Sequence, residues 1–570
     1  MFDKPSAYRR GDAPLPDRFS LWPLYGAGFE NLGRDGEPIL VPMRECGPDQ
    51  LLIRHDACSV CFSDYKVVRA GQDHPRIYRD MQADPVVLGH EVALTVVGVG
   101  DRLQEEYAVG DRFIVQADIY VDGVGYAYGY EIQGGQSQYS VIDQRVLNGD
   151  DGSYLIPVGT QTGYAEAALI EPWTCVLTAF RLTYRQTLRP DGIAWIIGTS
   201  RAKDRPYSIG TGFDETSRPR RLLLTAAPDG LATSLRTRAE ALGVEVVEVE
   251  SIGAPPVDEV DDIVLLGSDP DLIEAASPHL ASYGVLAIIA DEPLPRKVEV
   301  DIGRIHYNRW LFVGGQGPDI SRAYDDVPVR SELKPGGHVW FVGAGGPMGR
   351  LHVQRALEIP HGPSAILCTA RSNDRLPTVE SVYRADAEAK GIRFDCATLA
   401  EEHYQETLDE AGRKPFDDII ALAPSVVAIE EAAEYLAPGG VMNIFAGVKR
   451  GTKARLNLSD VYLKGTRYIG HSGLTTENMR IGLEQVRTGE FSANRQVAAV
   501  GSLRAFHAGL RAVRDGAFSG KVVIFPHIKE LPLTPLQGLR EQLPSVHARL
   551  RNGREWTREA EEEFLRLMLL

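Results

Sequence analysis

Cysteine is scarce in this chain: six residues in 570, at positions 46, 58, 61, 175, 368 and 396. So few, so widely scattered, exclude a disulfide framework of the kind that holds small secreted domains together. Long apolar runs are missing too, and no stretch of about 18 apolar residues is present to span a bilayer. Residues Met1 to Arg10 contain no apolar core resembling a secretory signal, so a cytoplasmic protein is the expectation. Positive charge is in deficit, with 61 Lys and Arg against 78 Asp and Glu and a net charge of -17. Nucleic acid and anionic membrane surfaces select basic patches, so neither is expected as a partner.

What remains is an ordinary globular composition, 44% hydrophobic and 24% charged, on a chain long enough for several domains with large cores. Within it, one stretch concentrates metal-ligating side chains. Cys58-Ser59-Val60-Cys61-Phe62-Ser63-Asp64-Tyr65-Lys66 is followed by Gly89-His90-Glu91. A thiolate, an imidazole and a carboxylate from two nearby segments, completed by a carboxylate from farther along, can hold Zn²⁺ and leave one position open. Cys58 has no second cysteine pair to join and is expected to be packing.

Residues up to about 150 alternate short β-branched runs with Gly, Pro and Asp, as in Val92 to Gly100 and Gly110 to Val115, which reads as a mostly β domain or barrel. From Glu171 the periodicity becomes helical, and alternating strand and helix signals continue to about Gly473, implying parallel βαβ units. This second region repeats itself. Asp262-Ile263-Val264 matches Asp418-Ile419-Ile420, Gly284-Val285 matches Gly440-Val441 and Gly314 matches Gly470, every pair 156 apart (418 − 262, 440 − 284, 470 − 314). Upstream, Trp195 to Gly198 matches Trp340 to Gly343 at a different offset. Two tandem nucleotide-binding-like copies account for this.

The copies differ where phosphate would bind. The second has Gly343, Gly345, Gly346, Pro347, Met348 and Gly349 between an apolar strand and a helix, a turn that brings backbone amides and a helix N-terminus to a pyrophosphate. The first has Gly198-Thr199-Ser200-Arg201-Ala202-Lys203, without the glycine cluster. The cofactor is therefore expected on the second copy.

These motifs resemble the zinc-dependent medium-chain dehydrogenase/reductase superfamily. The matches are Cys61-Phe62-Ser63-Asp64, Gly89-His90-Glu91, Gly110-Asp111-Arg112, Gly134-Gly135 before Tyr139, Glu171-Pro172, the Gly343 to Gly349 turn and Gly520-Lys521-Val522-Val523. Asp73-His74-Pro75-Arg76 and Gly129 to Gly135 add a softer likeness to its polyol and sugar-phosphate branch, that of sorbitol dehydrogenase and L-sorbose-1-phosphate reductase.

The resemblance implies an α/β chain: a GroES-like β-barrel catalytic domain over residues 1–185 with two tandem Rossmann-like parallel-sheet domains. The first repeat covers 186–325, with a degenerate phosphate loop, and the second, holding the nicotinamide cofactor, covers 326–480. Residues 481–530 return to close these domains, and 531–570 form a helical tail. It implies that Cys61 and His90 are zinc ligands, with Glu91 and Glu171 the third ligand or the carboxylate holding the metal-bound water. Ser63 relays a proton; Lys66 ends that relay, binds an anionic group or is a solvated charge; Asp64 orients its neighbours. The structural zinc of many relatives is not expected, because no cysteine lies between Cys61 and Cys175. The place of the acid that would hold the ribose of NAD is Ala370, with Arg371 and Ser372 beside it, so NADP is favoured over NAD.

The expected activity is a zinc-dependent, NAD(P)-linked interconversion of a secondary alcohol and a ketone on a polyol, sugar or sugar phosphate, by a homo-oligomer (dimer or tetramer). The alternatives are a redox-neutral sugar epimerase or lyase with tightly held cofactor, or a non-catalytic nucleotide-binding assembly protein.

Overall fold

The structure is a computed structural model, and it describes residues 4–181, 184–325, 330, 332–372, 374–471 and 473–570. The boundary expected between 325 and 326 runs into 326–329, outside the described residues. Two compact units emerge. One comprises Met1–Leu177, Gly345–Glu358 and Gly473–Leu570; the other comprises Thr178–Ala344 and Ile359–Ser472.

The first unit is built on the strand Leu51–Val60, buried along its whole length. It pairs antiparallel with Glu91–Val99 on one side and Lys521–Phe525 on the other, and with Tyr139–Ile142 near its start. Arg112–Val115 and Leu155–Pro157 continue the sheet outward from Glu91–Val99, while Val497–Ser502 continues it from Lys521–Phe525. The end of the chain thus completes a sheet begun near its start. A wholly buried strand must satisfy its polar side chains internally. Arg54 accordingly pairs with Asp56 at 2.7 Å and lies over the Tyr8 ring, and His55 stands between the Ser137 carbonyl oxygen (3.0 Å) and the Tyr128 hydroxyl (2.7 Å).

The C-terminal helix Arg558–Met568 docks on the same unit, where its Phe564 meets Phe525 and Trp556. The Glu561 carboxylate accepts from the backbone N–H groups of Tyr164 and Ala165 at 2.6 and 2.8 Å, satisfying the orphan donors that open the helix Tyr164–Ala168.

The second unit holds the parallel sheets of both copies. In the first copy the parallel sheet runs Glu245–Glu248, Arg221–Thr225, Ile193–Gly198, Val260–Leu266, Leu280–Ile289, Leu311–Gly315. In the second it runs Arg393–Thr398, Ala365–Ala370, His338–Val342, Phe416–Ala421, Leu436–Ile444, Arg467–Ile469. Both follow the doubly wound order 3-2-1-4-5-6, and their central strands are buried on both faces, as a parallel sheet covered twice requires. Matched side chains repeat matched bonds: the Trp195 indole donates to the Thr225 hydroxyl and the Trp340 indole to the Thr369 hydroxyl, each at 2.9 Å. The architecture is therefore α/β, a barrel with two Rossmann-like sheets.

Candidate metal and cofactor site

Sheet register assembles the site. Glu91 opens its strand opposite Ser59, Val522 lies opposite Val60, and Cys61 follows Val60 at the end of the central strand. Cys61, Glu91 and Lys521 therefore converge at one end of three adjacent strands. His90 precedes Glu91 and joins them. The Cys61 thiol, one His90 ring nitrogen and one Glu91 carboxylate oxygen all lie within 4.8 Å of one another.

Cys61 is also the N-cap of the helix Phe62–Ala70. The Asp64 carboxylate accepts from the Cys61 backbone N–H at 2.9 Å with one oxygen, while its other oxygen stands 3.3 Å from His90 Nδ1. With Nδ1 turned toward that carboxylate, Nε2 is left facing the Ser63 hydroxyl at 3.2 Å, the arrangement in which an outer carboxylate orients a ligating imidazole. Burial alone would depress the His90 pKa, but Asp64 beside it holds it well above the ordinary imidazole value.

Glu91 is anchored from the opposite strand. Lys521 Nζ donates to its Oε1 at 2.6 Å with both side chains almost fully buried, and Oε2 has no hydrogen-bond partner. Burial pushes the Glu91 carboxyl up, yet the Lys521 ammonium and His90 bring it below its usual range; Lys521 itself is raised by the same pairing, against its own desolvation. Gly89 holds the turn before His90: its φ is +102°, and a Cβ there would come within 2.6 Å of Cys58 Sγ. Cys58 is thus packed under the turn, accepting from the Gln136 amide at 3.1 Å.

Glu171 lies on the helix Ile170–Thr178, outside the close set of three. Burial first, then the Glu91 charge, raise its carboxyl to about 7, with His90 and Lys521 opposing. Cys175 Sγ, one turn on, is 3.7 Å from Glu171 Oε1.

Lys66 sits half-buried on the Phe62–Ala70 helix, one turn beyond Ser63. The His74 pKa is lowered by burial and then by the charges of Arg76 and Lys66. His74 and the Arg76 guanidinium lie 5.2 and 5.9 Å from the Tyr130 ring, whose centroid is 6.3 Å from that of His90. Arg76 also pairs with Asp118 at 2.5 Å. Lys521 and Tyr130 were assigned no role on sequence grounds, although a lysine inside the buried run Lys521–Phe525 is itself a signal that an acid must face it.

Residues 47–175 match the alcohol dehydrogenase GroES-like domain. L-sorbose 1-phosphate reductase of Klebsiella pneumoniae is 22% identical over 524 residues, 91% of each chain. Mannitol-1-phosphate 5-dehydrogenase of Aliivibrio fischeri is 26% identical over 356 residues, 56% of this chain and 80% of that one. An alcohol dehydrogenase from Thermotoga maritima shares the fold, with a TM-score of 0.51 at 13% identity, covering 89% of this chain and 99% of that chain. The chain resembles the medium-chain dehydrogenase/reductase superfamily, whose GroES-like domain it matches over residues 47–175.

In the second copy the glycine-rich turn lies between a strand and a helix. The strand His338–Val342 ends at Gly343, with φ +91°, whose N–H donates to the Thr369 carbonyl oxygen at 2.8 Å; Gly345 and Gly346 follow, and the helix Pro347–Glu358 begins at Pro347, Met348 and Gly349. Arg371 is exposed just beyond the strand Ala365–Ala370, and the Ser372 hydroxyl donates to Asp374 at 2.7 Å. The first copy has only a three-residue 3-10 turn, Ser200–Ala202, at the matching place. There Arg201 pairs with Glu292 at 2.8 Å, and Arg205 pairs with Asp291. The basic side chains at this turn are thus engaged in ion pairs.

Proposed function

We propose that this protein is a zinc-dependent, NAD(P)-linked oxidoreductase that interconverts the secondary alcohol and the ketone of a phosphorylated polyol or sugar. The carrying observation is the Cys61, His90 and Glu91 donor set, all within 4.8 Å, with Asp64 behind the imidazole and Lys521 behind the carboxylate. Sulfur, nitrogen and oxygen donors of this kind suit zinc, and the buried, unpartnered Glu91 Oε2 gives the group something to satisfy. Cys61 and His90 would hold the metal, with Glu91 or Glu171 as its carboxylate. When bound, zinc supplies Lewis-acid polarisation of a substrate oxygen, and the nicotinamide supplies or accepts the hydride.

The chain's own residues do the rest. The Ser63 hydroxyl, beside His90 Nε2, passes the substrate proton outward. Burial raises the Glu171 carboxyl to about 7, and a cation bound beside it would lower it again. Lys66 and Arg76 supply positive charge, and neutral His74 a hydrogen bond, to a phosphate ester, with the Tyr130 ring beside His74, Arg76 and His90. The turn from Gly343 to Gly349 holds the cofactor pyrophosphate, and Arg371 and Ser372 favour a 2′-phosphate and hence NADP.

The test is a panel of polyols and ketoses, each with and without phosphate, assayed by nicotinamide absorbance with NAD(H) and NADP(H). Net oxidation or reduction is expected, faster with the phosphorylated member of each pair. Product formation with a co-purifying cofactor and no net absorbance change would replace this reading with a redox-neutral epimerase or lyase.

A further inference from the structure

The first copy lacks the phosphate turn, yet its six-stranded sheet is as complete as that of the second, and the contacts between the two follow one pattern. Within the 156-residue repeat the later elements correspond: Val260–Leu266 to Phe416–Ala421, Pro270–Ala276 to Val426–Ala433, Leu280–Ile289 to Leu436–Ile444, Leu311–Gly315 to Arg467–Ile469. Short strands Val298–Asp301 and Lys453–Leu456 also correspond, and these two pair with each other.

Their ladder is antiparallel, with Val298 opposite Leu456, Glu299 opposite Arg455 and Val300 opposite Ala454. Arg455 is the repeat equivalent of Glu299 (455 − 299 = 156), so equivalent positions face each other at the centre. Val298 faces the equivalent of Val300, and Val300 faces the equivalent of Val298. A ladder of this kind has a local two-fold axis through its central pair.

Contacts away from the ladder obey the same axis. Gly314 and Gly470 are equivalent (470 − 314 = 156), as are His306 and Tyr462 (462 − 306 = 156). A Cβ at Gly314 would lie 2.6 Å from Tyr462 Cβ, and a Cβ at Gly470 would lie 2.7 Å from His306 Cα. Both glycines are needed where the other copy's helix presses on the sheet edge. The same two residues also reach across to a carbonyl of the opposite copy: His306 Nδ1 stands 3.0 Å from the Ile444 carbonyl oxygen, and the Tyr462 hydroxyl donates to that of Glu292 at 2.6 Å. Supporting bonds are duplicated as well. Glu299 N donates to Glu274 Oε1 at 2.9 Å and Arg455 N to Glu430 Oε1 at 2.7 Å, with 430 − 274 = 156. Val298, Val300, Ile302 and Ile305 of the first copy share one buried core with Leu456 and Val461 of the second.

Residue i touching j of the partner while j touches i is the signature of an isologous contact between two copies of one surface. We infer that the first copy is a tethered partner subunit: it occupies, within one chain, the face through which the second copy would otherwise pair with another copy of itself. At this surface the two copies keep apolar side chains facing the axis at matched positions, Val298 and Val300 against Leu456 and Ala454, while at the first copy's phosphate turn Arg201 and Arg205 are held in ion pairs. Any assembly of whole chains uses other surfaces.

Glu299 and Arg455 are exposed on the outer face of the ladder, and directly opposed antiparallel residues have Cα atoms about 4.5–5.5 Å apart, within disulfide range. Full-length Glu299→Cys, Arg455→Cys and the double variant should be oxidised under mild conditions and analysed by non-reducing electrophoresis and peptide mapping. The double variant is expected to form a 299–455 bond inside one chain at every protein concentration, and neither single variant should link chains through its new cysteine. A chain-to-chain bond at 299 or 455 in any variant, or a folded double variant that forms no internal bond, overturns the inference. Neither outcome depends on the redox activity proposed above.

Discussion

At the scale of single residues, the site is a set of charges held by neighbours on other strands. Glu91 and Lys521 are 430 positions apart in sequence and 2.6 Å apart in space, both sealed from water. Removing one member of such a pair strands a buried charge, at a typical cost of about 3 kcal/mol or more. Lys521→Met should therefore lower the denaturant midpoint strongly, and adding Glu91→Gln should return part of the loss; an unchanged midpoint in the single variant would mean the pair is not formed. In the proposed site Asp64 would act on the metal through His90 and through the Cys61 cap. Asp64→Ala should weaken zinc retention about 10- to 100-fold in competition with a chelator, the usual effect of losing an outer carboxylate. Cys61, His90 and Glu91 were readable because their side-chain types and spacing are local. Lys521 was not, because register between distant strands brings it to Glu91.

At the scale of elements, the docking of the C-terminal helix carries a pH dependence. Glu166 on the Tyr164–Ala168 helix is raised from 4.5 to about 7 by burial and then by the nearby Glu561 charge. A carboxyl raised in the fold stabilises fully below its unfolded value, and that contribution is lost as pH rises through the folded one. Thermal stability should thus fall between about pH 4.5 and pH 7 more steeply in the native chain than in Glu166→Gln, which should be the more stable of the two at pH 8; parallel curves would contradict the assignment. The edge helices offer a second prediction. Gly470→Val in the second copy should speed amide exchange in Ile302–Asn308 of the first, since its side chain would press on His306. Strand and helix periodicity made most of these elements legible, and the tail's helix too. Its buried Glu561 was hidden, because helical charge patterning reads the same whether a carboxylate faces water or caps another helix.

At the scale of the whole molecule, the duplication was legible as a constant 156-residue offset, and the barrel as short β-branched runs. The pairing of the copies across a local two-fold was not legible, since a repeat fixes what each copy is and not which surfaces meet. The joining of the last hundred residues to the first sheet is likewise a matter of pairing, hinted at only by Gly520-Lys521-Val522-Val523. The central claim is that Cys61, His90 and a carboxylate hold the metal that makes this fold a dehydrogenase. It is tested most directly by following nicotinamide absorbance with the best phosphorylated substrate in the zinc-replete chain, after chelation, and after zinc is returned. Turnover should vanish on chelation and recover with zinc, and Cys61→Ala should stay inactive throughout; a metal-free chain that turns over at the full rate would contradict the account.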